Sequence, residues 1–119
     1  MPIPLQITFR QMDGSPALEA RIRELAQRLA RFSTCIVGCH VTVELPHRHH
    51  HQGNLFDVKI DITVPRGEIA IRHAHPQSHA HKDAYVALRD AFLAATRKLQ
   101  NYERKRRHAV KTHVEHVIS

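Results

Sequence analysis

The sequence predicts an α+β domain with the element order β-α-β-β-β-α, in which two helices pack on one face of a four-stranded sheet. Four segments alternate apolar and polar residues with a period of two, which is the pattern of half-buried strands. Two other segments repeat apolar residues every three or four positions, as amphipathic helices do. Because each strand has one apolar face, both helices should cover the same side of an antiparallel or mixed sheet and leave the other to water.

The first strand and the first helix are predicted in the N-terminal third of the chain. Residues from Ile3 to Arg10 alternate cleanly and form the strand. Ser15 can cap the helix that follows, and Pro16 suits the first helical position. This helix is expected to reach Phe32, because apolar residues at helical spacing continue to that point: Leu18, Ile22, Leu25, Leu29 and Phe32.

Three more strands are expected over residues 37–45, 56–64 and 68–72, each with alternating apolar and polar residues. The turn Pro65-Arg66-Gly67 joins the last two strands into a hairpin, in which Gly67 is free to take positive φ. The order β-β-β-α over the last two-thirds of the chain is similar to that of a double-stranded-RNA-binding domain. This similarity concerns the fold and carries no function by itself.

The second helix is predicted to begin near Lys82 and to reach Arg107, in a stretch that contains neither Gly nor Pro. Such a helix would be about 39 Å long at 1.5 Å per residue, and Asp83 in its first turn suits the helix dipole. One side is apolar and should pack in or at the edge of the core: Tyr85, Leu88, Phe92, Ala95, Leu99 and Tyr102. We expect one domain over residues 1–107 and a short flexible tail over residues 108–119.

The composition favours an anionic partner. The chain has 119 residues, enough for one domain, and a formal net charge of +7 before any of its 12 histidines is protonated. This charge favours nucleic acid as the partner over a membrane surface. No run approaches the ~18 apolar residues of a membrane span, and no signal peptide is predicted. The two cysteines are therefore expected to be reduced thiols of a cytoplasmic protein.

The predicted charges are divided unevenly between the two sides of the domain. The open sheet face carries acids and bases together: Arg10, Glu44, Asp57, Lys59, Asp61, Glu68 and Arg72. Phe9 and Phe56 point into the core, so this sheet lacks the aromatic platform of an RNA-recognition motif. The second helix is basic towards its end and offset there only by Glu103. This pattern favours a nucleic-acid-binding face over an ordinary solvated helix, with phosphate and shape contacts rather than base readout.

Other groups of reactive residue types favour simpler interpretations. The histidines within residues 46–54 and 73–81 could bind a metal, but a polar loop is favoured because the first group contains no carboxylate or cysteine. Cys39 faces the core, so neither a disulfide with Cys35 nor a catalytic role is expected. The sequence also lacks a glycine-rich phosphate loop and a nucleophile motif. We therefore predict no enzyme activity, no metal, no cofactor and no small-molecule substrate.

Three stretches of the chain, in their order and spacing, carry a resemblance to a known protein family. They are the N-terminal strand, turn and helix, LQITFRQMDGSPALEARIRELAQRLARF, the hairpin VPRGEIAI, and the triplet Asp83-Ala84-Tyr85 followed by Arg97, Leu99 and a basic helix end. Together they cover most of the chain up to about residue 107. In this arrangement the sequence resembles the ribosome hibernation-promoting factor family, also known as the ribosome-associated inhibitor A or sigma-54 modulation protein family.

The resemblance implies a non-enzymatic translation inhibitor with the fold described above. Members of the family bind ribosomal RNA of the small subunit, in the channel used by messenger RNA and by A- and P-site tRNA, and block initiation under stress or in stationary phase. By position, Arg28, Arg97 and Lys105 match basic places in the family. Further cations are added by charge and geometry, which gives the predicted RNA-binding set: Arg28, Lys82, Arg89, Arg97, Lys98, Arg104, Lys105 and Arg107.

The chain departs from the family pattern at Asn101 and Glu103, where relatives often have lysine. The alternative function is a free-standing double-stranded-RNA-binding module of a different class. A third and weaker hypothesis is a metal-responsive protein that uses the histidine loop.

Overall fold

The computed structural model describes residues 4–33, 35–45, 48–49, 53–54, 56–73 and 83–118. Within them, residues 48–49, 53–54, 73 and 108–118 are described by their secondary structure alone. The elements in chain order are β1 (Leu5–Arg10), α1 (Pro16–Leu29) with a 3-10 turn (Ala30–Phe32), β2 (Gly38–Glu44), β3 (Arg48–His49), β4 (Gly53–Asn54), β5 (Asp57–Val64), β6 (Gly67–His73) and α2 (Ala84–Ile118).

The main sheet has four strands in the order β1-β2-β5-β6, and the short strands β3 and β4 pair separately. β1 runs parallel to β2, whereas the β2–β5 and β5–β6 pairs are antiparallel. One row of the register joins Ile7, Val41, Ile60 and Ile71 across all four strands. Because alternate residues share a face, this row belongs to the apolar side of a mixed sheet, and the predicted β-α-β-β-β-α fold is confirmed.

Both helices pack on that apolar side and close a single core. Ile22 and Leu29 of α1 and Leu88 and Leu99 of α2 are fully buried with the strand residues. Each such side chain contributes about 1.5–3 kcal/mol through removal of apolar surface from water. Since the strands and helices share this core, the polar face of the sheet and the outer faces of the helices remain exposed.

Local chemistry explains where the helices begin. The Ser15 hydroxyl accepts a hydrogen bond from the Leu18 amide at 3.2 Å, and Pro16 occupies the first helical position. These features are the predicted cap of α1. At α2, the Asp83 carboxylate accepts a hydrogen bond from the Tyr85 amide at 2.8 Å. This helix therefore begins at Ala84, two residues after the predicted start at Lys82, which lies outside the described residues.

Two aromatic residues of the predicted apolar stripes, Phe32 and Tyr85, are nearly half exposed rather than buried in the core. α1 ends at Leu29, and Phe32 lies in the 3-10 turn that follows, with 45% of its surface exposed. Tyr85 lies in the first turn of α2 and is 46% exposed. Both stand at helix ends, beyond the packing partners that bury the middle of each stripe. Tyr102, by contrast, is partly buried against the core as predicted.

The second helix is longer than the sequence indicates. It has 35 residues and continues past Arg107 to Ile118, whereas we expected a short tail over residues 108–119. The mobility of that segment stays a prediction. Within the described residues, no helix is both long enough and apolar enough to span a bilayer.

Candidate nucleic-acid interface

Five exposed cations of α2 form what we call the basic face: Arg97, Lys98, Arg104, Lys105 and Arg107. Arg97 and Arg104 are seven residues apart, as are Lys98 and Lys105, so each pair lies on one side of the helix, about 10 Å apart along its axis. The buried residues Ala95 and Leu99 hold the opposite side of this segment in the core. The basic face is thus fixed in orientation by packing and presents its charges to solvent.

The charges of the basic face are largely uncompensated by the protein. Arg97, Arg104 and Lys105 form no ion pair within the described part of the chain. Lys98 donates a hydrogen bond from Nζ to the carbonyl oxygen of Ala70 in β6 at 2.9 Å, which positions the ammonium without neutralising it. Cations without a carboxylate partner favour binding of a polyanion, because the polyanion releases condensed counterions when they contact its phosphates.

The other members of the predicted RNA-binding set differ from the basic face in position or pairing. Arg28 of α1 lies 2.7 Å from Glu24, which also pairs with Arg21 at 3.0 Å. Arg89 is 3.4 Å from Asp90 and about 12 Å before Arg97 along the helix. Exposed pairs of this kind contribute little to stability, so these arginines remain able to exchange a carboxylate for a phosphate.

Glu103 does not lie on the basic face, although the sequence suggested that it offsets the charge there. Its side chain is buried, with 6% exposure. One carboxylate oxygen accepts a hydrogen bond from the Ser33 hydroxyl, and the other lies 2.8 Å from Nη2 of Arg106. The Ser33 hydrogen bond first, and then Arg106, hold the pKa of the Glu103 carboxyl below its ordinary value. The negative charge is therefore directed into the domain.

Ser33 and Glu103 form a clamp between the end of α1 and the second half of α2. Ser33 is itself buried, and its hydroxyl also accepts a hydrogen bond from the Cys35 amide at 3.0 Å. Because the clamp fixes the chain on both sides of Ser33, it holds the adjacent 3-10 turn against α2. Here a shallow depression of about 250 Å³ is lined by Phe32, Gln100, Glu103, Arg104 and Arg107. We call it the seam depression.

The open sheet face has a different electrostatic character. A larger depression of about 490 Å³ lies on it, and its lining includes three bases and three acids: Arg10, Lys59, Arg72, Glu44, Asp57 and Asp61. Lys59 is 3.7 Å from Asp61, and Arg10 stands opposite Glu44 in the β1–β2 register. Thr8 and His40 share a hydrogen bond of 2.9 Å at the same face. This surface offers no excess of positive charge to a polyanion.

The remaining residues that could carry chemistry are the cysteines and the histidines. Both cysteines are free, and burial raises the pKa of the Cys39 thiol to about 11, so that it is protonated and unreactive near neutral pH. Among the described residues, no group of three or more His, Cys, Asp or Glu side chains could hold a metal ion. The histidine side chains within 46–54 and 73–81 lie outside that description.

The sequence predicted the basic face but missed the clamp and the seam depression. Ser33 and Glu103 are 70 residues apart in sequence, and no local pattern links them. One signal was available, because Glu103 follows Leu99 by four residues and so lies next to the apolar stripe. Lys82 remains a predicted contact outside the described residues.

Solved structures of two other proteins share this fold. The Thermus thermophilus Protein Y N-terminal domain matches with a TM-score of 0.65 and 16% sequence identity, over 86% of this chain and 99% of that one. A ribosomal subunit interface protein from Coxiella burnetii matches with a TM-score of 0.66 and 17% identity, over 85% of this chain and 98% of that one. At such identities the likeness concerns the fold.

The sequence itself identifies the family. No curated protein matches this chain in a sequence search. A family model described as Sigma 54 modulation protein / S30EA ribosomal protein matches residues 5–107, which include the main sheet, α1, the part of α2 up to Arg107 and the basic face. The match extends over most of the chain and confirms the predicted family. The chain thus belongs to the Sigma 54 modulation protein / S30EA ribosomal protein family.

Proposed function

We propose that this protein is a cytoplasmic translation inhibitor that binds ribosomal RNA of the small subunit. It occupies the channel used by messenger RNA and by A- and P-site tRNA, and so blocks initiation under stress or in stationary phase. The observation that carries the proposal is the uncompensated basic face of α2 in a chain of the S30EA ribosomal protein family. The Coxiella relative in fold, which is described as a ribosomal subunit interface protein, supports the same partner.

The basic face would act by phosphate neutralisation. Each cation that contacts a phosphate releases condensed counterions, which favours binding most strongly at low salt. Since Arg97 and Arg104 extend from a helix that is anchored in the core, little side-chain or backbone ordering is needed beyond the arginines themselves. Arginine forks bind phosphate oxygens in a bidentate manner, and the ammonium of Lys98 or Lys105 adds a point charge.

The inhibition would be steric rather than chemical. A bound domain excludes other ligands from the volume that it fills, and this requires neither a nucleophile nor a cofactor. The 35-residue α2 helix is about 52 Å long at 1.5 Å per residue. The basic face, from Arg97 to Arg107, covers about 15 Å of that length. This span can contact two or three phosphates of one RNA strand, because neighbouring phosphates are only a few ångströms apart.

Co-sedimentation with purified small ribosomal subunits tests the proposal directly. We expect the protein to migrate with the small subunit at low salt and to be released as salt is raised. Messenger RNA together with initiator tRNA should compete with it for the subunit. Failure to migrate with either the small subunit or the whole ribosome would contradict the proposal.

Competition with naked RNA separates this function from the alternative double-stranded-RNA-binding module. An excess of duplex RNA should displace the protein only weakly if it recognises the shape of the subunit channel. Equal affinity for naked duplex RNA and for small subunits would instead favour the alternative module.

A further inference from the structure

Phe32 is an exposed aromatic side chain beside two arginines. It has 45% of its surface exposed and lines the seam depression together with Gln100, Arg104 and Arg107. Glu103 also lines the depression, with its carboxylate held by Ser33 and Arg106. Tyr85, the other exposed aromatic residue of the described chain, lies in the first turn of α2, far along that helix from the depression. The seam depression therefore combines an accessible ring face with cations that can hold a phosphate.

The position of Phe32 is fixed by its neighbours. The adjacent Ser33 is buried and is hydrogen-bonded to both Glu103 and the Cys35 amide. Because Glu103 is also held by Arg106 at 2.8 Å, the turn cannot move away from α2 without breaking this clamp. Because the backbone of the turn is already held in place, only the side chain of Phe32 must be ordered when a ligand stacks on its ring.

We propose that the seam depression is a nucleotide-binding subsite in which Phe32 stacks on an unpaired base of the RNA. Arg104 and Arg107 hold the phosphates that flank this base, and the Gln100 amide faces its edge. The choice of RNA as the ligand rests on the proposed function. The subsite adds to that function a base contact, whereas the rest of the basic face offers phosphate contacts alone.

The chemistry of the subsite selects single-stranded RNA. A base within a duplex is stacked between its neighbours, and its faces are not available to a protein ring. Unpaired bases in loops and linkers can stack on an aromatic side chain with little dependence on sequence. A short single-stranded RNA should therefore reach Phe32, whereas a blunt duplex should contact only the arginines.

A tryptophan reporter can test stacking on the isolated protein. The chain contains no tryptophan, so Phe32→Trp introduces a sole indole whose fluorescence is quenched when a base stacks on it. Leu93→Trp is the matched control, because Leu93 is a similarly exposed residue of α2, at 55%, that does not line the depression. The probe is an oligoadenylate of roughly eight nucleotides, within the length that single-strand-binding sites cover, compared with a duplex of the same length.

We expect the oligoadenylate to quench Phe32→Trp strongly, the duplex to quench it weakly, and Leu93→Trp to respond to neither. Anisotropy of a labelled oligoadenylate shows independently that RNA is bound. Binding without quenching of Phe32→Trp, or equal quenching of both variants, would overturn the stacking subsite. This result does not depend on whether the protein binds ribosomes.

The affinity for purified small subunits is a second measurement, and it distinguishes failure of the stacking subsite from failure of the proposed function. Stacking contributes about 1–3 kcal/mol per base, so Phe32→Ala should weaken binding about 5- to 150-fold, while Phe32→Trp retains it. The dependence of affinity on salt should be unchanged in Phe32→Ala, because no charge is removed. If Phe32→Ala binds subunits as the wild type does, the subsite is wrong and the proposed function stands. If the wild type fails to bind subunits while oligoadenylate quenches Phe32→Trp, the proposed function is wrong and the stacking subsite stands.

Discussion

The outer side of α2 and the open face of the sheet are both exposed and both rich in arginine and lysine, yet they differ in where their acids lie. On the sheet, Lys59 has Asp61 at 3.7 Å, and Arg10 stands opposite Glu44 in register. In the segment of α2 from Arg97 to Arg107, the one acid is Glu103, and its carboxylate is turned inward and held by Ser33. The two faces therefore differ in the placement of their acids rather than in the number of their cations, and this placement is what distinguishes the proposed RNA-binding face.

This contrast has a physical consequence at cellular ionic strength. Screening by salt reduces charge interactions beyond about 8 Å, so distant positive charges contribute little to the binding of a phosphate. The electrostatic potential at a phosphate therefore depends on the cations and carboxylates within that distance. A phosphate near Lys59 also meets Asp61, whereas a phosphate near Arg97 meets no carboxylate among the described ion pairs. Changes to the charges of α2 should therefore affect phosphate binding more than equal changes on the sheet.

The largest effect is expected from charge reversal on the helix. Replacement of Arg97, Lys98, Arg104 and Lys105 by Glu should abolish binding to small subunits, because four phosphate contacts become repulsive. The fold should survive, since all four side chains are exposed. Sedimentation measures the binding, and a thermal melt followed by circular dichroism measures the fold. Unchanged binding by a folded variant would mean that another surface contacts the ribosome.

A smaller effect is expected when the inward acid is removed. Glu103→Ala leaves the buried Ser33 hydroxyl without its carboxylate partner and should lower the free energy of unfolding by about 1–3 kcal/mol. Urea titration measures this change. Arg104→Ala is the matched control, because Arg104 is the next residue but is exposed and forms no ion pair in the described chain. Equal stability of Glu103→Ala and the wild type would contradict the clamp.

The pH dependence of stability tests whether the Glu103 carboxylate of this clamp is preferentially ionised in the folded state. The pKa of Glu103 is lowered by folding from the ordinary value of 4.5, so its ionised form stabilises the native state above that pH. This contribution is lost as pH falls through the lowered folded pKa. Wild type should therefore lose more stability between about pH 6 and pH 3 than Glu103→Gln does, in matched urea titrations. Parallel losses would show that the carboxylate is not preferentially ionised in the folded state.

The smallest effect concerns the paired arginine of α1. Arg28 lies 2.7 Å from Glu24 and must exchange this partner for a phosphate, so Arg28→Gln should weaken subunit binding less than Arg104→Gln does. Glu24→Gln should in turn strengthen binding slightly, because it releases both Arg28 and Arg21. Affinities measured by filter binding at one salt concentration rank the three variants. A greater loss from Arg28→Gln than from Arg104→Gln would move the main contact to α1.

The sequence predicted most of the fold because the fold depends on local patterns. Alternation located the four strands of the main sheet, and Ser15 with Pro16 located the start of α1. The pattern could not give the strand order, in which β1 lies parallel to β2 at the sheet edge. Alternation shows which side of a strand is buried but does not show which strand pairs with it. Helix periodicity also assumes that every position on the stripe has a packing partner, which is untrue for Tyr85 and Phe32 at the helix ends.

The candidate site was predictable in composition but not in arrangement. The clustered cations over residues 97–107 are visible in the sequence. The inward turn of Glu103 depends on a hydrogen bond to Ser33 over 70 residues of separation, and only the packing of the two helices brings them together. The seam depression with Phe32 follows from the same long-range contact, and so it could not be read from either helix alone.

We propose that the helix face, and not the sheet face, binds the ribosome, and a matched pair of variants separates the two faces. One variant changes Arg97, Lys98, Arg104 and Lys105 to Gln. The other changes Arg10, Lys59 and Arg72 of the sheet face, and Arg66 of the turn between β5 and β6, to Gln. Both lose four positive charges, all from exposed residues. The measurement is the affinity for purified small subunits as a function of salt concentration.

We expect the helix variant to bind weakly and to lose about 0.7–0.9 from the slope of log affinity against log salt for each phosphate contact removed. The sheet variant should retain both the affinity and the slope of the wild type. Equal losses in the two variants would show that only net charge matters, and a greater loss in the sheet variant would place the ribosome on the opposite face.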